Sequence, residues 1–206
     1  MLSISEAPTE VLDPRVRRSR AALFEAVIEL TCRHGSTDLT TAAIAEQAGL
    51  SRQVVYQHFG DRDALVVAAA LDLLRRELLP EIAEHISMTP RDRALATARH
   101  FAARREFYHA VLAGPCSVAF SRGLTELHLP VNQALVRTIF GEGYDPQIAE
   151  DLAVYLTGGG IAFLTKWVVE SAEPLDSEQF VDRLGRMHAA LIRTEGPKPR
   201  TEGDVK

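Results

Sequence analysis

Residues 40–59 read TTAAIAEQAGLSRQVVYQHF, and this stretch decides the fold. Thr40 suits the cap of a short helix over Thr41–Ala48, because its hydroxyl can accept a hydrogen bond from an unpaired first-turn amide. Ala45 and Ala48 are small enough to let another helix approach closely. Gly49 stops the helix and permits a tight turn. Ser51 suits the cap of a second helix over Arg52–Phe59, and Gly60 stops that one. Two short helices joined by a short turn containing glycine form the helix-turn-helix pattern.

The second helix has an unusual outer face. At about 100° per residue, with Val55 at zero, Phe59 falls near 40° and Ser51 near −40°, which defines the inner face. Gln53 and Gln57 fall near 160° and 200°, opposite the core. Tyr56 and Val54 flank them near 100° and 260°. A merely solvated face would carry Lys and Glu. Glutamine can bond N6 and N7 of adenine together, and an aliphatic group can touch the thymine methyl, so this face suits the major groove. Tyr56, His58 and Arg52 are candidates for phosphate contacts, Arg52 at the positive end of the helix. A plain helical hairpin with solvated glutamines is the competing reading.

Working outward, every segment is helical. Residues 1–13 read as a disordered arm, poor in large apolar residues. Asp13 and Pro14 open a helix that ends at Gly35 after the basic pair Arg33-His34. Asp61 opens a long helix to His85, in which Pro80 should cause a kink. Further helices are predicted from Pro90 to about Arg104, then to Leu112, over Ser117–Phe140 with a bend or break at Pro130, over Pro146–Ser171, and over Ser177–Arg193. Gly141 to Asp145 is read as a turn, and residues 195–206 as a polar tail. The chain shows no strand alternation, internal repeat or low-complexity tract. The reading is an all-α chain: a three-helix reading head over 14–62 and a larger helical domain over 63–194.

The 206 residues carry a formal net charge of −5, which at face value argues against nucleic acid. The charge is unevenly spread. Residues 1–13 are net −3, residues 14–62 carry seven arginines against five acids, and residues 63–206 are net −4. The one net-positive block is the reading head. Cys32 and Cys116 are too far apart in sequence for a CxxC metal site, and two cysteines suit a reducing cytoplasm. The first residues lack the pattern of a signal peptide. No run of 18 or more uncharged apolar residues occurs, so no membrane span is expected.

The segment Thr40–Leu65 strongly resembles the DNA-binding domain of the TetR family of transcriptional regulators. The resemblance rests on IAEQAGLS, on Tyr56-x-His58-Phe59, and on Asp63-Ala64-Leu65 opening the next helix; Arg20–Gly35 matches the family's first helix. It covers about residues 15–66. Ser36 replaces a usual aromatic and Thr31 a frequent phenylalanine, which implies local repacking. Gln53 stands where a small residue is common, which makes it a candidate for operator specificity. Arg62 keeps the charge of a usual lysine. The resemblance implies a homodimer on a palindromic duplex. It makes Arg17, Arg18 and Arg20 candidates for backbone or minor-groove contacts. Together with Thr40, Ser51, Arg52, Gln53, Val54, Tyr56, Gln57, His58 and Arg62 they form the expected DNA-binding set.

The resemblance assigns the later helices to dimerisation and ligand sensing. Leu156, Gly160, Leu164, Leu184, Met187 and Leu191 are expected at the dimer face. Gly158-Gly159-Gly160 inside a helix should cost roughly 1 kcal/mol per glycine relative to alanine, which fits a close approach of backbones or a ligand. A phosphate loop is disfavoured by the lack of GxGxxG or GxxxxGK. Phe101, Phe107, Tyr108, Cys116, Phe120, His128, Tyr155, Phe163 and Trp167 are the candidate lining of a pocket for a small, partly apolar organic effector. No catalytic pattern and no metal-ligand spacing stands out, so no cofactor and no enzyme activity are expected. The lead reading is a ligand-responsive repressor. An activator, or a helical enzyme or carrier with a vestigial reading head, are the alternatives.

Overall fold

The computed structural model describes residues 13–84, 88–140 and 145–192, and among them every regular element is a helix. The expected arm, the surroundings of His85, the 141–144 turn and the polar tail lie outside the described residues, as do the side chains of Phe140 and Leu191. The helices are α1 (Pro14–His34), α2 (Thr41–Gln47), α3 (Arg52–Phe59), α4 (Arg62–Leu73), α5 (Leu79–Glu84), α6 (Pro90–Ala103), α7 (Arg105–Ala113), α8 (Ser117–Phe140), α9 (Pro146–Glu170) and α10 (Ser177–Ile192).

Local chemistry sets the first boundaries. Asp13 accepts the Arg15 amide at 2.8 Å, Pro14 opens α1, and Gly35 closes it at φ +62°. The Thr40 hydroxyl accepts the Ala43 amide at 3.1 Å. Gly49, at φ +65°, turns the chain so that the Leu50 amide reaches back to the Ala45 carbonyl at 2.8 Å. Asp61 accepts the Ala64 amide at 2.7 Å and starts α4. One apolar core then runs without a break from Leu23 and Val27 on α1, through Ile44 and Val55, to the body helices.

The helix expected to kink at Pro80 carries a turn of π-helix just before it. The five residues Leu74–Leu78 form a turn of π-helix between α4 and α5, closed by the Leu79 amide on the Leu74 carbonyl. A proline has no N–H, and its ring collides with the carbonyl four residues earlier in a regular helix. Widening the preceding turn relieves that collision, so the helix continues. Pro130 leaves α8 unbroken. Pro130 and Glu126 are both exposed, so the carbonyl that loses its helical partner can face water.

The π-turn is gripped from α6 and from the residue that joins α6 to α7. Glu77 accepts two hydrogen bonds from Arg104, at 2.6 and 3.1 Å. The Nδ1 atom of the buried His100 lies 3.7 Å from the same carboxylate. On its other side the ring meets the Tyr108 hydroxyl at 2.8 Å, and that hydroxyl donates to the Ala70 carbonyl on α4 at 3.5 Å. Burial holds the His100 pKa below its ordinary 6.5, against a smaller opposing pull from Glu77. Burial likewise pushes the Tyr108 hydroxyl far up.

The helix α9 runs through the body beside α8. Asn132 on α8 donates to the Thr157 hydroxyl at 2.8 Å, and Thr157 donates to the Ala153 carbonyl at 2.7 Å. By length and composition alone α9 is apolar enough to cross a membrane, although its sequence suggested otherwise. Two faces account for this. Ala153, Ile161, Leu164 and Val168 are buried, while Ile148, Val154 and Tyr155 are exposed.

This packing can be tested at two positions. A methyl group at Gly114 would stand 2.6 Å from the Ala110 carbonyl oxygen and 2.8 Å from the Thr37 hydroxyl. Gly114→Ala should therefore lower stability by about 1–3 kcal/mol, read as a lower urea midpoint at unchanged slope; wild-type stability would contradict it. For His100, the unfolded chain binds the proton more readily than the native one. Its contribution is then complete above pH 6.5 and is lost as pH falls from there through the lower native value. The stability advantage of wild type over His100→Gln should shrink on acidification, and a difference independent of pH would count against it.

Candidate nucleic-acid interface

Three helices build the reading head. α3 is anchored by Val55, fully buried in the core, and by Phe59, whose ring lies 5.5 Å from that of Phe24. Its start is irregular. Ser51 holds the first turn through its carbonyl, which accepts the Val54 amide at 3.1 Å, while its hydroxyl makes no bond to the helix. Ser51 is exposed, not inward as its wheel position suggested, because its backbone is extended and precedes the helix. That hydroxyl is therefore open to a phosphate.

Gln53, Tyr56 and Gln57 are exposed, Tyr56 by 55%. Their separation from Val55 puts them on one outward surface. Val54 is half-buried and packs against the core, so it contributes an edge and not the centre of that face. His58 is also half-buried, with its ring edge-on to Phe59 at 6.2 Å.

The cations divide into two kinds. Arg17, Arg18 and Arg52 are exposed and pair with no acid among the described residues. Arg62 is committed. It donates to Asp63 and Asp38, each at 2.8 Å, and to the Leu39 carbonyl at 3.2 Å. Its hydrogen bond to Asp63 is the largest influence raising its pKa. It ties the segment before α2 to the start of α4 and is not a free backbone clamp. Arg20 stacks over Phe59 at 4.6 Å and Phe24 at 5.5 Å, covering the head's aromatic pair. The Thr40 hydroxyl is spent on its cap. Sequence reading had no signal for the Arg62 tie, because Asp38 lies 24 positions away.

The expected pocket residues sit in several surroundings. Phe101, Phe107, Tyr108 and Phe120 are fully buried against one another, with the Tyr108 ring centroid 4.3 to 5.8 Å from the others. Cys116 is buried beside them in the same core. His128 turns back to its own helix, with Nδ1 2.9 Å from the Leu124 carbonyl. Phe163 and Trp167 stack on Phe180 at 5.0 and 4.5 Å. Tyr155 is 60% exposed and so lies on the outside.

The residues expected at the dimer face differ in their exposure within the chain. Leu164 is buried within its own chain, and Leu156, Gly160 and Leu184 are half-buried. Met187 is exposed, with Ile148, Val154 and Tyr155 on α9. The reason is helical phase: Leu164 shares the inner face with Ala153, Thr157, Ile161 and Val168.

Comparison with known proteins places these features. Residues 23–69 match the family model of bacterial regulatory proteins, tetR family. The chain is 38% identical over 79 residues to the HTH-type transcriptional regulator BetI of Brucella anthropi, covering 37% of this chain and 40% of that one. It is 39% identical over 80 residues to BetI of Stenotrophomonas maltophilia, covering 38% of each. The chain thus aligns with about two fifths of the length of these relatives. In fold it is similar to a TetR transcriptional regulator from Rhodococcus sp. RHA1, with a TM-score of 0.56 at 16% identity over 86% of this chain and 98% of that one. The match to the tetR family model covers residues 23–69, and over most of the chain the solved structures share the fold.

Proposed function

We propose that the protein is a sequence-specific DNA-binding transcriptional regulator, a repressor that leaves a palindromic operator when a small organic ligand binds. The observation that carries this is the outer face of α3. Gln53, Tyr56 and Gln57 stand exposed on a helix whose other side is locked into the core. Such a rigid helix can present side chains to base edges without further ordering.

The unpaired Arg17, Arg18 and Arg52 supply phosphate contacts, which position the head without reading sequence. The exposed apolar side chains of Ile148, Val154, Tyr155 and Met187 support pairing of two copies, because a two-fold interface suits two reading heads on a two-fold site. The site of action is the cytoplasm, where the duplex and the reducing conditions suited to free thiols occur together.

Ligand response then requires two shapes of the dimer that differ in the spacing of the heads. The ligand shifts the balance by its difference in affinity for the two. The run from Arg62 to Glu84 joins the head to the body, and its π-turn is where we place the flexing. The assignment is to a regulator and not to an enzyme.

Selection of duplexes from a random pool should recover a palindromic sequence. Gln53→Ala and Tyr56→Ala should each weaken binding to it by roughly 1–3 kcal/mol, while random DNA is bound as before. Recovery of no sequence above random would overturn the regulator. Salt dependence separates the two kinds of cation. Removing Arg17 or Arg18 should lower the slope of log K against log salt by about one for each phosphate no longer neutralised. Arg62→Ala should reduce stability without that change in slope, and the reverse pattern would contradict the division.

A further inference from the structure

Between α8 and α9 lies an open groove of about 550 Å³. Gly158, Ile161 and Ala162 give it an apolar strip, Ser121, Thr125 and Thr165 line it with hydroxyls, and its charged groups are Arg122, Lys166 and Glu170. Lys166 and Glu170 pair with each other at 3.6 Å. Arg122 is exposed and bonded to no acid among the described residues, although Glu126 follows it by one turn. The groove thus carries one uncompensated positive charge beside an apolar strip.

We propose that this groove binds a monoanionic organic carboxylate with an aliphatic body, held at its carboxylate by Arg122. The planar guanidinium fork matches a carboxylate through two parallel hydrogen bonds. The apolar strip takes the hydrocarbon, and Glu170 opposes a second negative charge. The inference rests on the regulator reading and gives its effector a site and a chemical class.

The groove also has a physical route to the head. Arg122 is followed by Gly123, and Gly123 faces Leu71 on α4. A methyl group there would stand 2.6 and 2.9 Å from the two Leu71 methyls on α4. A ligand that draws on Arg122 therefore acts beside a point where α8 meets α4 without an intervening side chain from α8. Outside its own stretch of helix, no atom of the described residues lies within 4 Å of a Cβ built at Gly158. A larger residue there enters the groove without disturbing the packing beneath.

Calorimetric titration of the full chain with octanoate, without DNA, tests this. Wild type should bind octanoate, and octanol about tenfold or more weakly, as expected for loss of a charge-assisted pair. Arg122→Gln should weaken octanoate by a similar factor. Glu170→Gln, which frees Lys166, should strengthen it, and Gly158→Leu should abolish it in a protein that still unfolds cooperatively. Equal affinity for octanoate and octanol, equal affinity in Arg122→Gln, or no octanoate binding by wild type would overturn the proposal. A shift from dimer to monomer on sedimentation of Arg122→Gln would overturn it too, by showing that a second copy fills the groove. Duplex selection without ligand reports on the regulator separately, so either reading can fail alone.

Discussion

A single helical run, from Arg62 to Glu84, is held at both ends by an arginine–carboxylate pair. Near its start Arg62 binds Asp38 and Asp63, and near its end Glu77 binds Arg104. Between them Leu65, Val66, Ala69, Ala70, Leu73, Leu74 and Leu78 are buried. Sliding or turning this run would expose leucines and break a charged pair at once. Buried apolar surface contributes about 25 cal/mol per Å², so such a motion has few low-energy forms. The π-turn at Leu74–Leu78 is where this run departs from the regular helical pattern.

The reading head illustrates how a weakly charged protein can meet DNA. Its seven arginines are not equivalent. Arg62 and Arg20 hold the head together, one through carboxylates and a carbonyl, the other through aromatic faces. The exposed arginines near the start of α1 and the start of α3 pair with no acid among the described residues, and the proposed function assigns them to phosphates. Net charge over the chain describes solubility and long-range attraction. On the proposed function, the small number of free cations leaves discrimination to the outward face of α3.

What was legible in the sequence was local. Asp13, Thr40, Gly49 and Asp61 announce helix ends because a cap or a turn is built within a few residues, and the backbone follows them. The inward Val55 and outward glutamines followed from helical period. Long-range partners were not legible. Asp38 with Arg62 and Glu77 with Arg104 are separated by 24 and 27 positions, and no periodicity links them. The same holds for Leu164 and Tyr155, whose faces depend on where α8 and α10 lie around α9. A proline marks trouble in a helix, but whether the helix kinks, widens or continues depends on which side faces water.

The central claim is that α3 reads base edges. The most direct measurement is a crystal structure of the full chain on a duplex recovered by selection. The expected complex has α3 in the major groove, with the amides of Gln53 and Gln57 within hydrogen-bond distance of base edges and Arg17, Arg18 and Arg52 at phosphates. A complex in which α3 faces solvent, or in which Arg62 has left Asp38 to contact the backbone, would contradict it.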